Sequence, residues 1–150
     1  MIETPRLIIT ARQPGDIALE EGHLALHPEI LQLDPSVGKN VHPIFYSVIK
    51  KGDNEYIGTC CFYNFKRSEV ELGVRIVIPD FWGMGYGSEV VNALCEYVFY
   101  YFPVVTVFAK TPAYNTRAIA CYQKCKFMEY ALVNLDGYDM VFMRRLKEGG

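Results

Sequence analysis

Three features of this 150-residue chain point to an α+β domain, a mixed sheet of six to seven strands flanked by helices. Residues 69–76 alternate strictly: Val70, Leu72, Val74 and Ile76 share one face, and Glu69, Glu71, Gly73 and Arg75 share the other. Residues 87–102 carry Val90, Val91, Leu94, Val98 and Tyr101 at helical spacing and are closed by Pro103. Asp136-Gly137, between two apolar runs, is the strongest short hairpin signal present.

Residues 6–12 read as a first strand, ended by a turn at Gln13-Pro14-Gly15-Asp16, with Asp16 as the N-cap of a short helix over 17–27. Pro28 and Pro35 break up the segment beyond that helix. Residues 43–51 and 56–65, rich in aromatic and β-branched side chains around Gly52-Asp53-Asn54, predict a hairpin. Residues 104–109 form a wholly apolar strand of the buried type. Residues 115–124 form a helix with Asn115 as its cap, and 127–134 and 138–146 are the strands of the last hairpin. No repeat or low-complexity segment divides the chain, so residues 1–150 are read as one domain.

Composition narrows the function. Fifteen basic against seventeen acidic residues give a formal charge of −2, which lacks the electrostatic footprint of a protein that binds nucleic acid or an anionic membrane. No secretory leader is visible, and the most apolar run, residues 97–109, is broken by Pro103 and short of a membrane span, so a cytoplasmic location is expected. The five cysteines contain no C-x-x-C pair and are read as reduced and mostly buried. His23 and His27 lie four residues apart without a third ligand, so no metal is expected.

Chemistry concentrates between the alternating strand and the long helix. Gly83, Gly85 and Gly87 free the backbone just where a helix start leaves amide N–H groups unpaired, a geometry suited to phosphate. The spacing is G-x-G-x-G, which departs from the dinucleotide fingerprint, and the loop holds no lysine for a Walker A site.

Glu71-Leu72-Gly73-Val74-Arg75-Ile76, then Gly83-Met84-Gly85-Tyr86-Gly87-Ser88-Glu89, then Asn115-Thr116-Arg117-Ala118-Ile119 with Tyr122-Gln123-Lys124-Cys125-Lys126-Phe127, occur in that order. This series resembles the GNAT superfamily of acyl-CoA N-acyltransferases, particularly the branch that acetylates ribosomal-protein N-termini and polyamines. With the opening Thr4-Pro5-Arg6-Leu7 and the last hairpin, the likeness spans essentially the whole chain. It departs from the pattern at Met84, where lysine is frequent, at Trp82, and at Lys126, where glycine is usual.

The resemblance implies an α/β/α layering, a mostly antiparallel sheet and a splay between the fourth and fifth strands, the ones around Ile76 and Thr106. It further implies acetyl-CoA as cosubstrate. The amides of Gly83, Met84, Gly85, Tyr86, Gly87 and Ser88 would hold the pyrophosphate, Arg75, Ile76 and Val77 the pantetheine arm by strand-like bonds, Asn115 would touch that arm, and Lys124 would meet the phosphates. Tyr122 would sit near the thioester sulfur and protonate the leaving thiolate, while Glu71, or its neighbour Glu69, or water alone, takes the amine's proton. Direct attack in a ternary complex leaves the cysteines as bystanders, with a route through Cys121 still open. The acceptor, a small-molecule or peptide amine, is left open, its specificity assigned to residues 17–41 and the last hairpin. So is the oligomeric state, for which the edge of that hairpin offers a homodimer contact. A non-catalytic acyl-CoA-binding sensor is the alternative.

Overall fold

The computed structural model describes residues 1–35 and 41–149. Its strands are β1 (Ile2–Glu3), β2 (Leu7–Ala11), β3 (Ile44–Lys50), β4 (Glu55–Lys66), β5 (Glu69–Ile76), β6 (Thr106–Pro112), β7 (Met128–Leu135) and β8 (Tyr138–Leu146). They form one sheet in the order β1-β2-β3-β4-β5-β6-β8-β7, antiparallel throughout except where β5 meets β6. The eighth strand, beyond the six to seven expected, is β1, whose two residues pair with Ile8 and Ile9 and are too few to show a period. β6 starts later than residue 104 because the chain first ties back to the β4–β5 turn, Val105 N–H donating to the Ser68 carbonyl.

Among the described residues four α-helices accompany the sheet, α1 (Pro14–Leu26), α2 (Glu29–Leu33), α3 (Tyr86–Tyr101) and α4 (Thr116–Lys124), with a short 3-10 turn at Pro79–Phe81. The expected turn at residues 13–16 is instead the first turn of α1, with Gln13 as N-cap and Pro14 inside the helix. Asp16 is therefore not the cap. It sits three residues further in and accepts from the Gln13 N–H at 3.0 Å, which explains why its position suggested a cap. α2 comes directly after Pro28 and is one short helix that the proline spacing concealed. Asn115 does cap α4, its Oδ1 accepting from the Ala118 N–H at 3.2 Å. At the other end of α4, Lys126 takes the left-handed conformation (φ 69°) where glycine is usual. Its N–H donates to the Gln123 carbonyl and that of Phe127 to the Tyr122 carbonyl, the paired bonds of a Schellman ending.

Alternation along the strands sorts the layers. Val70 and Leu72 of β5, with Cys60 and Phe62 of β4, face a core shared with Val90, Val91, Leu94 and Val98 of α3. The opposite face carries Ser47, Thr59, Cys61 and Tyr63, and α1 lies over it, Ser47 Oγ donating to Asp16 at 2.8 Å. Beneath α2 a smaller cluster joins Ile30, Tyr56 and Val77.

Between β5 and β6 the ladder stops early. Only Glu69, Val70 and Glu71 pair with Thr106, Val107 and Phe108, so the two strands run on unpaired beyond that point and leave a gap toward the start of α3. This is the expected splay.

Candidate active site

The loop that feeds α3 is shaped by glycine. Gly83 (φ 79°) and Gly85 (φ 85°) are both left-handed, and Gly85 is the N-cap residue, with no side chain capping the helix. The amides of Tyr86, Gly87 and Ser88 open the helix, at the positive end of its dipole. Arg6 underpins the turn. Its Nη1 donates to the Met84 carbonyl at 3.0 Å, its Nε to Glu89 at 2.7 Å, and its guanidinium lies 4.1 Å from the centre of the Tyr86 ring.

A cavity of about 310 Å3 runs from this loop into the gap between the strands, lined by Arg75 and Ile76 of β5, the loop glycines and Ser88, and Asn115, Cys121 and Lys124. A second, of about 380 Å3, continues past the end of the paired segment and is lined by Tyr63, Gly73, Lys110 and Tyr122, with Glu20 and Asp34 on the far side. The two share Leu33, Asp34, Val74, Arg75, Asn115 and Ala118, so they adjoin along one cleft face.

A family model described as an acetyltransferase (GNAT) domain matches residues 19–128. The chain belongs to this family. A comparison with curated proteins finds no match. The fold is shared with solved structures of low identity. An acetyltransferase of the GNAT family from Bacillus anthracis is 19% identical, with a TM-score of 0.81 and 97% of each chain covered. A spermidine N-acetyltransferase from Vibrio cholerae, in complex with CoA and spermine, is also 19% identical, with a TM-score of 0.77, 95% of this chain and 96% of that one. An aminoglycoside acetyltransferase in complex with coenzyme A is 18% identical, with a TM-score of 0.80 and 95% of each chain covered.

In this GNAT acetyltransferase most of the residues expected at the cosubstrate site line the first cavity: Arg75, Ile76, Gly83, Gly85, Tyr86, Gly87, Ser88, Asn115 and Lys124. Val77 and Met84 lie apart. The Val77 side chain is fully buried with Ile30 and Tyr56, and its N–H donates to the Ile57 carbonyl at 2.9 Å, toward β4 and away from the gap. The Met84 side chain is exposed, and its carbonyl is held by Arg6. Trp82 lines the cleft and donates from Nε1 to the Ile76 carbonyl at 2.9 Å, while Arg117 stacks 4.3 Å above its ring.

The acetyltransferase's Tyr122 is buried against Phe127 and lines the second cavity. Burial, with Cys121, Asp34, Cys61 and Glu71 adding to it, holds its hydroxyl pKa well above the ordinary tyrosine value, so it stays protonated. Glu71 stands elsewhere. Its carboxylate lines an adjoining cavity with Glu69 and Tyr130, and accepts from Tyr63 Oη at 2.7 Å and Asn64 Nδ2 at 3.2 Å, with Lys110 Nζ 3.5 Å away. Tyr63, Asn64 and Lys110 escaped the sequence reading because nothing in a strand's period says which partner faces which across a hairpin.

The end of α2 reaches over the cleft. Asn115 Nδ2 donates to the Leu33 carbonyl at 3.0 Å, Tyr114 Oη donates to that of Gln32, and Arg75 pairs with Asp34 at 2.7 Å and Glu20 at 3.3 Å. Of the segment expected to set acceptor specificity, residues 36–40 lie outside the described residues. Among the described residues no cluster of three or more His, Cys, Asp or Glu side chains could hold a metal ion, and His27 faces Glu29 at 3.5 Å. No helix among them is long and apolar enough to cross a membrane.

Proposed function

We propose that the protein transfers an acetyl group from acetyl-CoA to an amine by direct attack in a ternary complex. One observation carries this reading: two adjoining cavities place a glycine-built helix start, a strand edge that faces the gap and a buried, protonated tyrosine next to one another. The residues present fit the cosubstrate. A Cβ built at Gly83 meets nothing within 4 Å, so the space beside the loop's backbone is open for a phosphate to approach. Lys124 and Arg117 add positive charge on the same cavity.

The pantetheine arm would lie along the edge of β5 that faces the gap, at Val74 and the Ile76 N–H, the Ile76 carbonyl already accepting from Trp82, and would add to the sheet as a strand does. That course brings the thioester toward Tyr122, whose hydroxyl proton passes to the departing sulfur. The acceptor attacks as the neutral amine, its nitrogen becomes a strongly acidic ammonium as it bonds to the carbonyl carbon, and Glu71 is the group that finally takes that proton. Lys110 and Asn64 hold that carboxylate in place. Chemistry through Cys121 is not needed for any of these steps. The acceptor would enter from the α1–α2 side, past Glu20 and Asp34.

A panel of polyamines, aminoglycosides, amino acids and peptides, incubated with acetyl-CoA and assayed for free thiol and acetylated product, tests the reading. Stoichiometric appearance of both with at least one class is expected. Saturable CoA binding with no turnover across the panel would instead make the protein an acyl-CoA-binding module.

A further inference from the structure

We infer that Tyr63 is a catalytic residue of this acetyltransferase, the hydroxyl through which the acceptor's proton travels from the cleft to Glu71. The inference rests on the proposed acetyl transfer and adds a step that the Glu71 assignment alone leaves unexplained. The carboxylate does not line the cavity that Tyr122 lines. It lies in the neighbouring one with Phe108 and Tyr130, and of the residues around it Tyr63 and Lys110 are those that also face the cleft. A proton leaving an amine in the cleft must cross that wall.

The wall is built for the crossing. Tyr63 and Glu71 are direct cross-strand partners, so their side chains rise side by side from one face of the sheet. Tyr63 Oη donates to Glu71 Oε2 at 2.7 Å, which orients the phenol with its proton toward the carboxylate and a lone pair toward any other partner. Gly73, two residues along β5, places no side chain against the ring, where a Cβ would lie 3.6 Å from Cε1. The groups that face the phenol are Glu71 from β5, Lys110 from β6 with Nζ 5.6 Å from the ring centre, Cys61 from β4 and Tyr122 from α4. Burial first, and then the Glu71 carboxylate, push the Tyr63 hydroxyl far above the ordinary tyrosine range. It therefore acts as a neutral relay and never as a free phenolate.

In the step itself the amine nitrogen bonds to the thioester carbon and the C–S bond breaks, its electron pair leaving on sulfur. The nitrogen's proton moves to Tyr63 Oη while the phenol's own proton moves to Glu71 Oε2. Tyr63 ends as it began, Glu71 ends protonated, and Tyr122 supplies the proton on sulfur. Glu71 then returns its proton to solvent through the adjoining cavity, and Tyr122, left as a phenolate, takes one back from solvent in the cleft, so both groups end as they began.

The test compares Tyr63→Phe, Glu71→Gln and the double variant in the full chain, using the best amine from the panel. Each single variant should lose about 100-fold or more in kcat, keep the melting shift given by CoA, and show a rate that climbs with pH from 6 to 9 as hydroxide replaces the relay. The double variant should be no slower than either single. Near-native kcat in Tyr63→Phe, or losses that multiply in the double variant, overturns the relay. Should Tyr63→Phe fail to fold, Glu71→Gln decides: native-like kcat there overturns the relay equally. A native enzyme inactive on every amine defeats the acetyltransferase reading instead, and the relay with it.

Discussion

Arg6 and Glu89 tie the first long strand to the first turn of α3, with Arg6 Nε donating to Oε1 at 2.7 Å and the Arg6 backbone N–H to Oε2 at 3.0 Å. The link matters because the same guanidinium holds the Met84 carbonyl inside the glycine loop. Burial alone would raise the Glu89 pKa, but hydrogen bonds from Thr4 and Arg6 outweigh it and hold the carboxyl below its ordinary value. A depressed carboxyl contributes stability above its unfolded-state pKa and loses it as pH falls through the folded value. Glu89→Gln should therefore melt below the native protein at pH 7, with the difference vanishing once the pH drops below the ordinary carboxylate range. Melting curves from pH 3 to 7 check this. Arg6→Ala should in addition shrink the CoA-induced rise in melting temperature.

Two of the loop glycines should respond differently. Gly85 is left-handed, so Gly85→Val strains the backbone, and its Cβ would already touch Arg6 Nη2 at 3.4 Å. Its effect thus begins within the protein, before any clash with phosphate. Left-handed geometry costs a β-carbon roughly 1–2 kcal/mol, and CoA affinity should fall with it. Gly87 is an ordinary helical residue whose Cβ would make van der Waals contact with Cys121 Sγ at 3.6 Å. Gly87→Ala should raise stability by roughly 0.5–1 kcal/mol. Chemical denaturation of the two variants gives both signs.

Cys121 should be the reactive thiol. The Cys125 thiol beside it lowers its pKa most, burial opposes that, and the Ser88 hydroxyl at 3.5 Å and Lys124 lower it further, to about 7. The same pairing and burial push Cys125 up. Iodoacetamide labelling of Cys121 should rise to half its maximum near pH 7, with Cys125 silent. Because Cys121 lines the first cavity, CoA should protect it. Peptide mapping by mass spectrometry reads both effects.

Tyr122→Phe removes the proton offered to sulfur and leaves the ring packed against Phe127 at 5.3 Å. A fall in kcat of about 100-fold is expected, with CoA affinity and melting temperature nearly unchanged. Equal kcat in the variant would leave the thiolate to depart unaided.

Much of this arrangement was legible in the residues because local chemistry dictates it. The alternation of Val70 and Leu72 against Glu71 and Gly73 set the faces of β5, Asn115 announced the start of α4, and the glycine spacing marked the loop. The features that escaped depend on register. Arg67-Ser68 as a two-residue turn, with Lys66 opposite Glu69, would place Asn64 opposite Glu71. An irregularity between Tyr63 and Lys66, with Asn64 at φ 54°, slips the pairing by one residue and brings Tyr63 there instead. The same limit explains Val77: the direction of one N–H, toward β4 or toward the gap, is set by pairing that composition does not encode. α1 began earlier than expected because Pro14 and Gly15 read as a turn, although proline suits a helix's first position.

The most direct test of the account is the backbone amide spectrum of the isotopically labelled protein during titration with CoA. Saturable shifts should concentrate at Gly83, Gly85, Tyr86, Gly87 and Ser88 and at Val74 and Ile76 on the open edge of β5, while Val77, bonded to Ile57, stays nearly still. Shifts mapping to another face, or none at millimolar CoA, would contradict it.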